Sequence, residues 1–389
     1  MSLDPRQPSR KTRLIELALL FLKLGTTAFG GPAAHMALME DEVVRRREWL
    51  TREEFLDLLG ATQLIPGPNS TELAIHIGHR RAGFAGLLVA GACFILPATI
   101  LVTVIAWSYT QLGKLPQLEG LLYGIKPVML AVILQALWGL GRTAMKTKLL
   151  GGLGVAAALA NLAGVHELVS LFVAGAFMAS MASVQQRRSS TQHLPLMAMM
   201  PWLPLNAAVA SQAAAPFGLG KMFLFFLKVG SVLFGSGYVL LAFLRADLVD
   251  RWQWLTEAQL LDAITVGQIT PGPVFTTATF IGYLLGGTAG AAIATLGIFL
   301  PAFFFVAISG PLVPRLRRSR VASGFLDGVN VASLALMAVV TGQLGRVAVI
   351  DVPTLALALV SIFLLMHRRV NSAWLILTGA AVGIAAKLL

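Results

Sequence analysis

The stretch "ATQLIPGPNS" at residues 61–70 interrupts apolar sequence with Pro-Gly-Pro, and "VGQITPGPVF" at residues 266–275 does the same. Proline lacks the backbone donor that a continuing helix needs, so each triplet must end a helical segment. Two such breaks predict two places where the backbone turns inside an apolar region.

Composition places these breaks in a membrane protein. The chain has 389 residues, of which 57% are hydrophobic and only 12% are charged, whereas soluble proteins carry about a quarter charged residues. Residues 82–109 contain no charge and exceed the roughly 20 residues that span a bilayer. The net charge of +12 gathers in loops such as "PRLRRSR" and "MHRRV", as the positive-inside rule requires. We predict an all-α polytopic integral membrane protein whose partner is the lipid bilayer and not a nucleic acid.

The two triplets belong to an internal repeat. Shifting the chain by 205 positions aligns residues 21–68 with 226–273 at 18 identities in 48 positions, against about 4 expected by chance. The match continues beyond the triplets at an offset of 204. We predict two homologous six-segment halves, at residues 14–183 and 221–389, joined by a linker at 184–220.

Basic residues indicate how the halves are oriented. With a cytoplasmic N-terminus, a second half parallel to the first would leave six arginines between positions 315 and 369 outside. Inverting that half brings them inside. The uncharged stretch 194–220 is a candidate for the extra crossing that inversion needs. The predicted topology is an inverted repeat.

The segment before each triplet is too short to span the membrane. "WLTREEF" and "WLTEAQL" predict capping boxes, Thr51 with Glu54 and Thr256 with Gln259. The 15 residues from position 51 to 65 reach only about 22 Å, whereas the hydrocarbon core is about 30 Å thick. A second helical piece can begin at Pro68. In secondary transporters, such broken helices in inverted halves mark the substrate site, although a simple turn between two helices is the alternative.

Helix starts and lysines at these breaks predict an anion site. A half-helix beginning at Pro68 directs its free amides and positive dipole end into the break. Lys23 and Lys228 share one repeat position, and a lysine within a membrane indicates function, unless it snorkels to the interface. The predicted substrate-binding residues are Lys23, Gly30, Gly31, Gln63, Pro66, Gly67, Pro68, Asn69, Ser70 and Thr71, together with Lys228, Gly235, Gln268, Pro271, Gly272, Pro273 and Thr276.

Several polar residues occur in one half only. Glu72 and His76 lie one helical turn apart, opposite threonine and isoleucine in the second half. They are candidates for proton coupling by antiport, or for ion pairs with Arg80 or Arg81. Lys126, opposite an asparagine, faces either substrate or a carboxylate. The run "EDEVVRRREW" at 40–49 is predicted to be a solvated loop or interfacial helix.

The motifs "FLKLGTTAFGGP", "REWLTREEF" and "QLIPGPNS" resemble those of the chromate transporter family, in its long form with two homologous halves. The resemblance implies a chromate exporter of the prokaryotic plasma (inner) membrane that confers chromate resistance. The second half departs from the pattern with "FGSG" and has no Asn-Ser after its triplet, which puts its direct binding role in question.

The expected function is therefore chromate efflux by alternating access, driven by the membrane potential, with a contribution from protons left open. The alternative is a transporter or channel for sulfate or another tetrahedral oxyanion. The chain contains no Walker motif, HExxH sequence or nucleophile elbow, and its single cysteine, Cys93, cannot form an intramolecular disulfide. We expect a non-enzyme without cofactor or metal, and leave a homodimer open.

Overall fold

The computed structural model describes residues 9–29, 31–112, 116–189, 216–234, 239–368 and 370–388, and every regular element in these ranges is helical. The first half contains α1 (Arg10–Thr27), α2 (Gly31–Glu40), α3 (Arg52–Thr62), α4 (Asn69–Leu112), α5 (Pro116–Ala144), α6 (Lys148–Leu162) and α7 (Glu167–Ser189). The second contains α8 (Leu219–Val232), α9 (Leu240–Leu244), α10 (Glu257–Ile269), α11 (Thr277–Arg318), α12 (Arg320–Ala348), α13 (Val352–Phe363) and α14 (Ser372–Leu388). Short π-helical turns lie at Asp41–Arg46, Arg245–Arg251 and Leu364–Arg368, and a 3₁₀ turn at Val274–Thr276.

Within the described residues, five helical segments are long and apolar enough to cross a membrane, which confirms the polytopic prediction. They are Asn69–Gln111, Gly120–Ala144, Glu167–Val184, Val274–Ser309 and Arg320–Ala348. Most of the linker in which we predicted an extra crossing, residues 190–215, lies outside the described residues.

Each of the two longest helices is bent into a hairpin. In α4 the helical conformation is lost at Ala82 and Gly83, and in α11 at the equivalent residues Gly286 and Gly287. The positive φ of Gly83 (64°) and Gly287 (60°) is a conformation that glycine adopts without steric cost. The helix that follows each triplet therefore turns back after a few turns.

Paired glycines close both hairpins. Gly78 packs against the backbone of Gly86, and Gly282 packs in the same way against Gly290, with no room for a Cβ atom. These pairs keep the offset of 204. The residue equivalent to His76 is therefore Phe280, and the isoleucine predicted there was wrong.

The later helices of the two halves exchange partners. Within each half the first helix packs on the hairpin, α1 on α4 and α8 on α11. By contrast, α5 packs on α13 and α14, and α12 packs on α6 and α7. Neither half therefore has a complete core of its own.

Equivalent helices of the two halves run in opposite directions. A Cβ atom at Gly345 would lie 3.6 Å from Leu130 Cδ2, and one at Gly141 would lie 3.6 Å from Leu334 Cδ2. Position 130 of α5 thus meets the end of α12, and position 141 meets its middle. Because α5 and α12 are equivalent membrane-spanning candidates, this antiparallel contact confirms the inverted repeat.

Candidate functional site

The two Pro-Gly-Pro triplets lie buried where the halves meet. The Gly67 amide donates a hydrogen bond to the carbonyl of Leu233 (2.8 Å), and the Gly272 amide donates to the carbonyl of Ala28 (3.0 Å). Ala28 and Leu233 are the extended residues that end α1 and α8. Each triplet is therefore held by the end of the first helix of the other half.

Glycine is required at the centre of both triplets. Gly67 has a φ of 140° and Gly272 a φ of 89°, which side chains strongly disfavour. The space that a Cβ atom would need at Gly67 is occupied by a carboxyl oxygen of Glu72. At Gly272 that space is occupied by the Ala98 side chain, 2.8 Å from the ideal Cβ position.

The helix starts after the triplets differ. Helix α4 begins directly after Pro68, so the amides of Asn69, Ser70 and Thr71 have no acceptor within the helix. In the second half a 3₁₀ turn comes first, and the Thr276 amide donates to the Pro273 carbonyl (3.0 Å). The first half thus presents the more open set of backbone donors, which suits an anion.

One face of α4 carries buried polar groups without partners. Asn69, Glu72 and His76 share that face, because they are three and four residues apart. Glu72 is fully buried. Among the described residues, no hydrogen-bond partner reaches either of its carboxyl oxygens, Asn69 Oδ1 or His76 Nε2.

The ion pairs proposed for Glu72 with nearby arginines do not form. Arg80 donates to Glu54 and Arg81 to Glu16, each at 2.8 Å. In the second half, the Thr276 hydroxyl is satisfied by the Pro273 carbonyl (2.8 Å). An unpartnered carboxyl beside the triplet is therefore a feature of the first half.

The two repeated lysines form equivalent ion pairs. Lys23 Nζ lies 2.7 Å from Glu42 Oε1, and Lys228 Nζ lies 2.8 Å from Asp247 Oδ2. The Glu42 and Asp247 side chains are only 9% and 4% exposed, whereas Lys23 is 55% exposed. Of the two alternatives predicted for residues 40–49, the solvated loop is wrong for Glu42, which is buried in the helical turn Asp41–Arg46. Both ammonium groups are already neutralised by a carboxylate at the matching repeat position.

The remaining predicted site residues have varied positions. Gln63 is exposed at the end of α3, whereas Gln268 is partly buried with no partner for its Nε2 among the described residues. Gly31 begins α2 with a φ of 75°. Gly30 and Gly235 lie outside the described residues.

Asp262 was missed by the sequence analysis. Lys126 Nζ lies 2.9 Å from Asp262 Oδ1, and the Tyr109 hydroxyl donates to Asp262 Oδ2 (2.8 Å). Lys126 thus faces a carboxylate, which decides between its two alternatives. The contact joins α4 and α5 of the first half to α10 of the second. Asp262 is repeated as Asp57, and that identity is the signal that would have singled it out.

Comparison with known proteins agrees with this two-fold arrangement. A family model described as chromate transporter matches the chain twice, at residues 15–180 and 220–384. The chain belongs to the chromate transporter family. Both matched regions of this family contain one triplet, one hairpin and the helices that follow.

Full-length members of the chromate transporter family are similar to most of the chain. The chromate transport protein of Cupriavidus metallidurans is 30% identical over 95% of this chain and 92% of its own length. A probable chromate transport protein of Synechococcus elongatus is 31% identical over 90% and 89%. The chromate transport protein of Pseudomonas aeruginosa is 31% identical over 90% and 85%. These relatives are named as transport proteins and not as enzymes. No solved structure matches the chain at a significant level.

Proposed function

We propose that this member of the chromate transporter family exports chromate, or a closely similar tetrahedral dianion, from the cytoplasm across the prokaryotic plasma membrane. One observation carries the proposal: the open N-terminus of α4 directly follows a triplet that is hydrogen-bonded to the first helix of the other, inverted half. The names of the full-length relatives support chromate as the substrate. Export of this kind lowers the cytoplasmic chromate concentration and so confers resistance.

The amides of Asn69, Ser70 and Thr71 hold the oxyanion at the positive end of the α4 dipole. Lys23 and Lys228, near the ends of α1 and α8, are each neutralised by a carboxylate, so the positive end at the site comes from the backbone amides. The site is complete within one chain because each triplet is seated on the other half. The homodimer left open by the sequence stays a prediction.

Alternating access follows from the inverted halves. Because the later helices are exchanged between the halves, the moving units are groups of packed helices and not the halves themselves. Relative motion of two equivalent groups exposes the site first to one side of the membrane and then to the other. Moving two negative charges outward gains about 4.6 kcal/mol at an inside-negative potential of 100 mV. The positive-inside rule favours a cytoplasmic N-terminus, so the face that carries Arg13, Arg80 and Arg81 is the loading side.

Glu72 couples the oxyanion to a proton. At a separation of 4 Å and an effective dielectric constant of 20, an ionised carboxylate and each negative charge of the dianion repel each other by about 4 kcal/mol. Glu72 lies against Gly67 of the triplet without a cationic partner among the described residues. It is therefore protonated while the dianion is bound, and His76 relays the proton. Proton and oxyanion then move in the same direction, which favours cotransport over the antiport expected from the sequence.

The test is labelled chromate uptake into everted vesicles, with sulfate as competitor, equal pH on both sides and an imposed lumen-positive potential of 100 mV. Cotransport of one proton carries one net negative charge and supports a gradient of about 50-fold. Glu72→Gln carries two charges and supports about 2,400-fold. Glu53→Gln makes the same change at an exposed carboxyl in the first turn of α3; it is the matched control and keeps the wild-type gradient.

Two results would contradict the proposal. Uptake no greater than in vesicles without the protein, while the protein elutes as a folded monodisperse species, excludes chromate transport. A wild-type gradient equal to that of Glu72→Gln excludes the role of Glu72. Stronger uptake of labelled sulfate than of chromate would favour the alternative substrate.

A further inference from the structure

A second group of cations lies away from the triplets, around a cavity of about 360 Å³ in the first half. Arg13, Arg80 and Arg81 line it together with Trp49 and Glu54, and we call it the arginine cavity. At about 30 Å³ per water, its volume corresponds to roughly a dozen waters. A tetrahedral oxyanion with part of its hydration shell fits this space.

The arginine cavity has an excess of positive charge. Arg80 and Arg81 are paired with Glu54 and Glu16, respectively. Arg13 donates to the carbonyl of Arg81 (3.2 Å), and no carboxylate in the described part of the chain lies within ion-pair distance of it. The Nε atoms of Arg13 and Arg81 are buried, and neither has an acceptor among the described residues. Donors are thus available for a further acceptor that is not present.

The arginines are held in place by groups that are themselves fixed. The Arg81 guanidinium lies 4.5 Å from the centroid of the Trp49 ring, in a cation–π contact. The Thr51 amide donates to Glu54 Oε2 (2.9 Å) within the capping box. That bond and the Arg80 guanidinium hold the pKa of Glu54 below its ordinary value. Preorganised guanidinium groups suit bidentate binding of an oxyanion.

The second half keeps the apolar part of this cavity and loses its three arginines, although Lys221 Nζ lies 5.9 Å from the centroid of the Trp254 ring. Trp254, Leu255 and Ile281 repeat Trp49, Leu50 and Ile77. Leu284 and Leu285 stand where the first half has Arg80 and Arg81, and Gly218 stands where it has Arg13. The Trp254 ring is covered by Phe217, with ring centroids 5.2 Å apart. Because the halves are inverted, the cluster of three arginines occurs on one face of the protein only.

We propose that the arginine cavity is a docking site for a tetrahedral dianionic oxyanion, on the face from which substrate enters the transporter. Its loading role rests on the proposed function, but binding of the anion does not. Docking raises the local oxyanion concentration next to the N-terminal half-helix and is weakened by salt. A free oxyanion and the phosphate of a lipid headgroup share this chemistry.

The experiment measures sulfate binding by calorimetry to the full-length protein in nanodiscs of zwitterionic lipid. The variant Arg80→Leu/Arg81→Leu introduces the residues of the second half and is expected to weaken sulfate binding at least 10-fold. Arg13 has no carboxylate partner among the described residues, so Arg13→Gln removes a cation without leaving a carboxylate unpaired. This variant is expected to weaken sulfate binding several-fold. Arg142→Leu removes an exposed arginine outside the cavity and is the matched control, with an affinity within 2-fold of wild type.

Chromate uptake into everted vesicles then tests the loading role. The KM for chromate is expected to rise about 10-fold in the double variant with kcat unchanged. If the double variant loses sulfate binding and the wild-type protein binds sulfate but does not transport chromate, the docking site is supported and the proposed function is overturned.

Two results would overturn the docking site. One is sulfate affinity within 2-fold of wild type in both Arg13→Gln and the folded double variant. The other is loss of wild-type sulfate binding in nanodiscs that contain phosphatidylglycerol, because a headgroup then occupies the cavity.

Discussion

The two triplets have nearly the same backbone and different surroundings. Gly67 and Gly272 each donate to the first helix of the opposite half, at 2.8 and 3.0 Å. Beside Gly67 lies an unpartnered carboxyl, whereas beside Gly272 lies the methyl group of Ala98. The duplicated backbone thus provides the turn, and only the first half adds titratable chemistry to it.

The same division recurs at two other places. Lys126 is paired with Asp262, but its equivalent in the second half is Asn330. Arginines around the arginine cavity are replaced by leucines. A scaffold with two-fold symmetry and one-sided charge suits a carrier whose two faces meet different compartments.

The largest expected effect comes from giving Lys126 the residue of the second half. Lys126→Asn leaves Asp262 buried with only the Tyr109 hydroxyl as a partner, which is expected to cost about 3–5 kcal/mol of unfolding free energy. Unfolding of the solubilised protein by denaturant measures it. Lys146→Asn breaks an exposed pair with Asp327 and is expected to cost less than about 1 kcal/mol. Adding Asp262→Asn to Lys126→Asn should restore much of the loss; a double variant as unstable as the single one would contradict the paired-charge explanation.

The next effect distinguishes the two triplets. Gly272→Ala combines a disfavoured φ with a methyl group that meets Ala98, at an expected cost of about 2–4 kcal/mol. Gly67→Ala is also strained, but its methyl group displaces the Glu72 carboxyl and should change the proton dependence of transport as well. Gly83→Ala has a positive φ with open space around it, so it controls for strain alone, at about 1–2 kcal/mol. Equal losses for Gly272→Ala and Gly83→Ala in denaturant unfolding would rule out the contact with Ala98.

The smallest effect concerns the two capping boxes. Thr51→Ala and Thr256→Ala each remove a side chain that accepts from an N3 amide at 3.1 Å, at an expected cost of about 1 kcal/mol each. Thr51→Ala keeps the amide that donates to Glu54 Oε2 but loosens the first turn of α3, which positions Glu54 against Arg80. Sulfate binding should therefore change in that variant alone. Calorimetry and thermal unfolding of both variants test this, and the same sulfate affinity in both would remove the link between the cap and the arginine cavity.

Features that depend on neighbouring residues could be predicted from the sequence. Both capping boxes are confirmed, because Thr and Glu or Gln three residues apart contain the whole interaction. The repeat was predictable because identity at a constant offset needs no knowledge of packing, and its inversion was predictable from the distribution of basic residues.

The partners of buried charges could not be predicted in this way. Asp262 and Lys126 are far apart in the chain, and periodicity carries no information about which helices meet. The pairing of Lys23 with Glu42 was easier to predict, because Lys228 and Asp247 repeat the two opposite charges at the same spacing. A run of acidic residues and arginines is typical of a solvated segment. The burial of Glu42 depends on how the helices pack, which the sequence does not show.

The exchange of helices between the halves has a consequence for synthesis. Helix α5 packs through Gly124 against Gly379 of α14, which is synthesised 255 residues later (379 − 124). At about 5–20 residues per second, α5 waits tens of seconds for that neighbour. Until then its glycine face must be covered by lipid or by the insertion machinery. The first half reaches its final packing only after the last helix has entered the membrane, so a truncated chain is expected to be degraded rather than to persist as half a transporter.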